Sequence, residues 1–118
     1  MAEHSTDRYA ALRRSYAAQL GPTMDAIRRD WSRFRAATDL EAAERVRASV
    51  HRLTGSGATF GYPDLSDAAR EAEDLLAWIT DDGRLPVLGI DRIEASLKTL
   101  MEVADSVEHD PEGNVRDS

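Results

Sequence analysis

Cysteine is absent from this chain of 118 residues, which excludes disulfides, thiolate metal sites and a cysteine nucleophile. The absence fits a reducing compartment, and we expect a cytoplasmic protein. Long apolar runs are also missing: none approaches the roughly 20 residues of a membrane-spanning helix. Residues 1–7 are polar and lack the apolar core of a signal peptide. The sequence therefore predicts no association with a membrane.

Basic residues are in the minority, with 15 Lys and Arg against 22 Asp and Glu, for a net charge of -7. Nucleic-acid affinity comes largely from neutralisation of phosphates by basic side chains, so this balance disfavours a nucleic-acid partner. Aromatic residues make up only 6% of the chain, while hydrophobic residues reach 42% and are mostly alanine and leucine. That composition suits closely packed helices, and the length is that of one domain.

Apolar residues recur at intervals of three or four along four segments, which predicts four amphipathic helices. The first runs from about Asp7 to Ala37 and contains Gly21 and Pro22. An interior proline kinks or breaks a helix, but the apolar stripe keeps its phase across this pair. We therefore predict one kinked helix, with two separate helices as the alternative. The third helix is predicted to end before Asp81.

Short polar links between these segments predict antiparallel neighbours, and hence an all-α, antiparallel up-down four-helix bundle. Thr38 and Glu41 have the spacing of a capping box, which predicts that the second helix opens at Thr38. We assign residues 8–107 to the bundle. Flexible segments are expected at residues 1–7 and 108–118.

One histidine on the second helix falls outside the predicted core. The buried stripe is centred near Val50, Leu53 and Gly57, and His51 lies roughly 130° away on the helical wheel. Gly55 lies one turn from His51 on the outer face. Because a glycine inside a helix costs up to about 1 kcal/mol relative to alanine, two of them need a reason. Gly57 allows close helix approach, and Gly55 leaves room for an incoming molecule. The alternative is that His51 is an ordinary solvated residue.

The segment from His51 to Gly61 reads His-Arg-Leu-Thr-Gly-Ser-Gly-Ala-Thr-Phe-Gly. It resembles the phosphorylation-site helix of histidine phosphotransfer (HPt) domains, whose usual pattern is His-x-Leu-Lys-Gly, then small residues and a second glycine. The resemblance continues through Leu65 to the acidic Glu73 on the next helix. The four residues from Thr59 are most similar to the HPt domain of chemotaxis-type histidine kinases. Motif and helical layout together cover about residues 8–107.

The resemblance implies that His51 is the phosphoacceptor and that Glu73 orients its imidazole. It also implies that Mg²⁺ belongs to the partner receiver domain, so no cofactor is expected on this chain. The family usually carries, at the position of Thr54, a lysine that helps to neutralise the phosphoryl group. Arg47, one turn before His51, is our candidate for the missing charge. The alternative for Arg47 is a solvated side chain paired with Glu44 or another nearby carboxylate.

The implied partners are a response-regulator receiver domain and a hybrid or chemotaxis-type histidine kinase. The chain carries no kinase segment, so we expect a phosphocarrier, not an enzyme, and a monomer. A metal site is not expected, because His4 and His109 lie in opposite end segments without ligand-like spacing to His51. The alternative function, favoured by Thr54, is a non-phosphorylated HPt-like adaptor that binds receivers or other signalling proteins.

Overall fold

The computed structural model describes the backbone of residues 2–82 and 87–113, and the side chains of residues 8–81 and 89–113. These residues form helices and short turns, with no strand among them. The helices are α1 (Ala2–Ala18), α2 (Leu20–Ala37), α3 (Leu40–Thr59), α4 (Pro63–Asp82) and α5 (Val87–His109). Segments α1 and α2 together form one helix bent by 30°, so the architecture is the predicted all-α four-helix bundle.

The bend lies at Gln19, which separates α1 from α2. Pro22 has no N–H to offer the carbonyl of Ala18, and its ring crowds the preceding turn. The chain tightens there, because the Gln19 amide donates to the carbonyl of Tyr16 at 3.0 Å, three residues back. The kink predicted near Gly21 and Pro22 is therefore confirmed, and it falls in the turn just before the proline.

Helix α3 is capped by Asp39, whose side chain accepts a hydrogen bond of 3.2 Å from the Ala42 amide. Thr38 instead ends α2, in a left-handed conformation with φ 53°, and its amide donates to the Phe34 carbonyl. The predicted capping box of Thr38 and Glu41 is therefore wrong. A residue with left-handed backbone reverses the chain direction, so the next helix starts one residue later.

This cap gives a first prediction. Asp39→Ala leaves one amide of the first turn of α3 without a partner, and we expect it to lower the free energy of unfolding by about 1 kcal/mol. Thr38→Ala is the matched control and should change it by less than about 0.5 kcal/mol, since its hydroxyl caps nothing. Urea denaturation measures the free energy of unfolding of both variants. A larger loss in the Thr38 variant would show that Thr38, and not Asp39, caps α3.

The core runs along the whole bundle. Its fully buried large side chains come from α2, the connection before α4, and α3 to α5: Leu20, Ile27, Val46, Val50, Tyr62, Leu65, Leu76, Ile79, Ile93, Leu100 and Val107. No described helix combines the length and hydropathy needed to cross a membrane. Of the segments expected to be flexible, residues 1 and 114–118 lie outside the described residues. The flexibility of residues 1–7 and 108–118 therefore stays a prediction.

Helices α3 and α4 approach each other closely at Gly57, where an added Cβ would lie 3.1 Å from the Ser66 amide nitrogen. Two hydrogen bonds tie the same crossing: Ser66 Oγ donates to the Thr54 carbonyl at 2.6 Å, and the Tyr62 amide donates to the Gly57 carbonyl at 2.8 Å. Gly61, with φ 84°, turns the chain between the helices. This crossing fixes the register of α4 against α3, on which the site below depends.

Candidate functional site

His51 lies on α3 and Glu73 on α4, and the two side chains meet on the outer surface of this helix pair. His51 Nδ1 is 2.7 Å from Glu73 Oε2, within hydrogen-bond distance. The imidazole side chain is 72% exposed and the Glu73 side chain is 20% exposed. Helical phase predicts this outward position of His51, and the close crossing of α3 and α4 brings Glu73 to it.

The contact with Glu73 fixes which ring nitrogen is free. A carboxylate only accepts hydrogen bonds, so the neutral imidazole carries its proton on Nδ1 and donates it to Glu73. The Nε2 atom then has a free lone pair, and none of the described residues hydrogen-bonds to it. The arrangement therefore presents an oriented, exposed nitrogen nucleophile to an incoming molecule.

Gly55 lies one turn beyond His51 and is exposed. Apart from its two chain neighbours and the backbone of its own helix, a Cβ placed on Gly55 would have no described atom within 4 Å, so packing does not require glycine there. Gly57 differs, because its Cβ would press on the α4 backbone. The two glycines thus have separate physical reasons: Gly57 serves the helix crossing, and Gly55 leaves the surface beside the imidazole open.

Thr54 does not replace the charge of the family's lysine. Its side chain is half-buried, and its hydroxyl donates to the Val50 carbonyl of the same helix at 3.1 Å. A neutral hydroxyl committed to its own helix cannot neutralise a phosphoryl group. Any positive charge that this chain brings to the site must come from another residue.

Arg47 lies one turn before His51 on α3, and its side chain is held by α4. Its Nη1 donates to Thr80 Oγ1 at 2.7 Å and to Asp81 Oδ1 at 2.6 Å. The carboxylate that pairs with it is therefore Asp81 and not Glu44. Arg47 and His51 share an open groove of about 530 Å³ between α3 and α4. The groove is lined by Glu44, Arg47, Ala48, His51, Arg52, Glu73, Thr80 and Asp81.

The sequence interpretation missed Thr80 and Asp81. It ended the third predicted helix before Asp81, whereas α4 continues to Asp82 and so carries both side chains on its last turn. The pairing of His51 with Glu73 could have located them. Helices α3 and α4 are antiparallel, and Arg47 lies one turn before His51. A partner for Arg47 is therefore expected one or two turns after Glu73, where Thr80 and Asp81 lie.

The groove contains no recognisable metal centre. Within the part of the chain that the structure describes, no three or more His, Asp and Glu side chains are grouped so as to hold a metal ion. His51 and Glu73 form a pair with a single donor–acceptor contact, which suits imidazole orientation. That the chain works without a cofactor stays a prediction.

Comparison with known families identifies the fold. The sequence model of the Hpt domain matches residues 11–105, which include α2, α3 and α4 in full and both His51 and Glu73. No curated protein and no solved structure shows a significant match. Hpt domains act in histidine phosphotransfer within phosphorelays, as phosphocarriers that interact with receiver domains and kinases. The family match spans most of the chain and confirms the resemblance found in the sequence: this protein belongs to the Hpt domain family.

Proposed function

We propose that this protein accepts a phosphoryl group on His51 from a receiver-domain aspartate and donates it to another. The observation that carries the proposal is the 2.7 Å contact between His51 Nδ1 and Glu73, which leaves an exposed Nε2 free. The family supplies the general activity, and this contact supports the assignment of the acceptor atom. Gly55 supports access, since its side-chain space is empty.

In the proposed step, the lone pair of Nε2 attacks the phosphorus of an aspartyl phosphate on the receiver. The P–N bond forms as the P–O bond to the aspartate breaks, and the carboxylate leaves with the electron pair. The phosphorylated ring keeps its proton on Nδ1. The Glu73 carboxylate accepts a hydrogen bond from this N–H and stabilises the positive charge of the ring. Phosphoryl transfer depends mainly on positioning and charge neutralisation, so Mg²⁺ and the acidic pocket can belong to the receiver.

The partners follow from the same proposal. A receiver domain of a response regulator docks over His51, and a hybrid or chemotaxis-type histidine kinase supplies the phosphate. Transient signalling contacts are small, and the shallow groove and open Gly55 surface suit one. We propose a cytoplasmic monomer that needs no cofactor of its own.

A transfer assay tests this function. The protein is incubated with phosphorylated receivers from its own organism, and protein-bound phosphate is measured before and after acid treatment. We expect phosphate that is lost in acid and retained in alkali, as phosphohistidine is, and peptide mapping should locate it at His51. Incorporation from no receiver would reject the proposal.

The second candidate function is a non-phosphorylated adaptor that binds receivers. Thr54 favours it, because the lysine position of the family holds a neutral hydroxyl bonded to Val50. The two functions separate in one experiment, in which receiver binding is measured beside transfer. Binding at micromolar concentration without any phosphate on the chain would favour the adaptor.

The orienting role of Glu73 gives a prediction of its own. A hydrogen bond to a charged group is worth about 1.5–3 kcal/mol, and about 1.4 kcal/mol corresponds to a tenfold rate change. Glu73→Ala should therefore slow transfer by roughly tenfold or more. Glu73→Gln should lose less, because its amide oxygen still accepts the Nδ1 proton. Asp74→Asn, an exposed neighbour on α4, is the control. Stopped-flow transfer rates measure the series, and equal rates in all four proteins would exclude the role.

A further inference from the structure

We propose that Thr80 and Asp81 bind the Arg47 guanidinium while His51 is unphosphorylated. When His51 is phosphorylated, Arg47 moves from Asp81 to the phosphoryl group. The inference rests on the proposed function and adds a regulation of the same site. It makes Asp81 a positioning residue that competes with the phosphoryl group for one guanidinium. The balance of that competition sets how strongly the phosphorylated state is favoured.

The present contacts of Arg47 leave it able to move. Both hydrogen bonds, to Thr80 and to Asp81, use Nη1, and within the described residues Nε and Nη2 have no protein partner. The side chains of Arg47 and Asp81 are 33% and 59% exposed. Ion pairs that are open to solvent contribute little to stability, so this pair can break without disturbing the fold.

Arg47 also lies within reach of the reacting group. It precedes His51 by four residues on α3, which places the two Cβ atoms about 5–6 Å apart on one face of the helix. Both side chains line the same groove, as do Thr80 and Asp81. A guanidinium in this groove can therefore contact α4 or a group on the imidazole by rotation of its own side chain.

Charge decides where the guanidinium goes. A protein-bound phosphoryl group carries about two negative charges and three acceptor oxygens, which a guanidinium binds through two parallel hydrogen bonds. Asp81 offers one charge and makes a single contact with Arg47. Thr54 brings no competing cation, and Arg52, which also lines the groove, donates from Nη2 to Ser49 Oγ at 3.2 Å. Phosphorylation of His51 therefore makes the imidazole side of the groove the better site for Arg47.

The equilibrium of phosphotransfer tests this exchange, because contacts made only in the phosphorylated state shift it. The ratio of phosphorylated protein to phosphorylated receiver is measured after the transfer reaction reaches equilibrium. Asp81→Asn releases Arg47 and should shift this ratio roughly two- to fivefold towards the phosphorylated protein, the effect of one exposed ion pair. Arg47→Gln should shift it in the opposite direction. Substitution of a residue that only supports receiver docking would change the transfer rates and leave the equilibrium ratio unchanged.

A double-mutant cycle separates the exchange from simple repulsion between Asp81 and the phosphoryl group. If Asp81 acts through Arg47, Asp81→Asn has no effect in the Arg47→Gln background. If the shift persists there, repulsion explains it and the inference is overturned. Asp30→Asn breaks a comparable Arg–Asp pair, with Arg45 at 3.0 Å and outside this groove, and should leave the ratio unchanged.

The outcomes also distinguish this inference from the proposed function. A parent chain that takes up no phosphate rejects both. A parent chain that takes up phosphate on His51, with the Asp81→Asn ratio equal to its own, rejects the exchange alone and leaves the phosphocarrier function standing.

Discussion

Replacement of His51 by glutamine is expected to abolish phosphate incorporation and to leave the fold intact. Glutamine has no basic nitrogen with a free lone pair, so no P–N bond can form. The imidazole is 72% exposed and its only hydrogen bond within the described residues is with Glu73, so no core packing is lost. Acid-labile phosphate should fall to the background of the assay, while the urea midpoint stays within the range of ordinary surface substitutions.

The matched control for this variant is His109→Gln. His109 is also an exposed histidine, but its Nδ1 lies 2.8 Å from the Asp105 backbone carbonyl, and this hydrogen bond raises the pKa of His109. The raised pKa leaves less of this ring in the neutral form near neutral pH, and His109 lies at the end of α5, outside the groove between α3 and α4. The His109 variant should therefore accept as much phosphate as the parent chain. If the His51 variant incorporated phosphate fully and the His109 variant incorporated none, the phosphoacceptor would be His109 and not His51.

Helical periodicity was enough to predict the four-helix fold and the exposure of His51, because both depend on the repeat of one helix at a time. The contact with Glu73 depends on how two helices cross. Nothing in the periodicity of α4 alone selects Glu73 over Asp74, which lies one residue later. Only the family resemblance pointed to Glu73, and the packing of Gly57 against Ser66 brings it to the imidazole.

The features that the sequence did not predict lie at helix ends. Thr38 and Asp39 are adjacent and both can cap a helix, and the chain reversal after α2 decides between them. Asp81 looked like a helix terminator, because two aspartates and a glycine follow Thr80. Asp81 nevertheless lies on the last turn of α4, where its side chain pairs with Arg47 of α3. Neither the left-handed backbone of Thr38 nor the pairing of Asp81 with a residue of another helix can be read from apolar periodicity.

The second large effect is expected on the free energy of unfolding when Gly57 is replaced, whereas replacement of Gly55 should have the opposite effect. Gly57→Ala would place a Cβ 3.1 Å from the Ser66 amide nitrogen, and that amide is bonded to the Tyr62 carbonyl at 3.1 Å and cannot retreat freely. Overpacking of this kind costs about 1–3 kcal/mol, and helix propensity returns up to about 1 kcal/mol. We expect a net loss of about 1–2 kcal/mol in urea denaturation. Gly55→Ala, with open space around it, should gain up to about 1 kcal/mol.

A larger side chain at Gly55 then tests access without touching the core. Gly55→Leu should keep the stability of the parent chain, because no described atom outside the adjoining backbone of α3 lies within 4 Å of the new Cβ. The leucine would, however, occupy the surface beside the imidazole where a receiver must come within bonding distance of Nε2. Transfer should fall at least tenfold, a loss of about 1.4 kcal/mol in transition-state stabilisation. A Gly55→Leu protein that is folded and transfers at the parental rate would show that receivers approach His51 from another side.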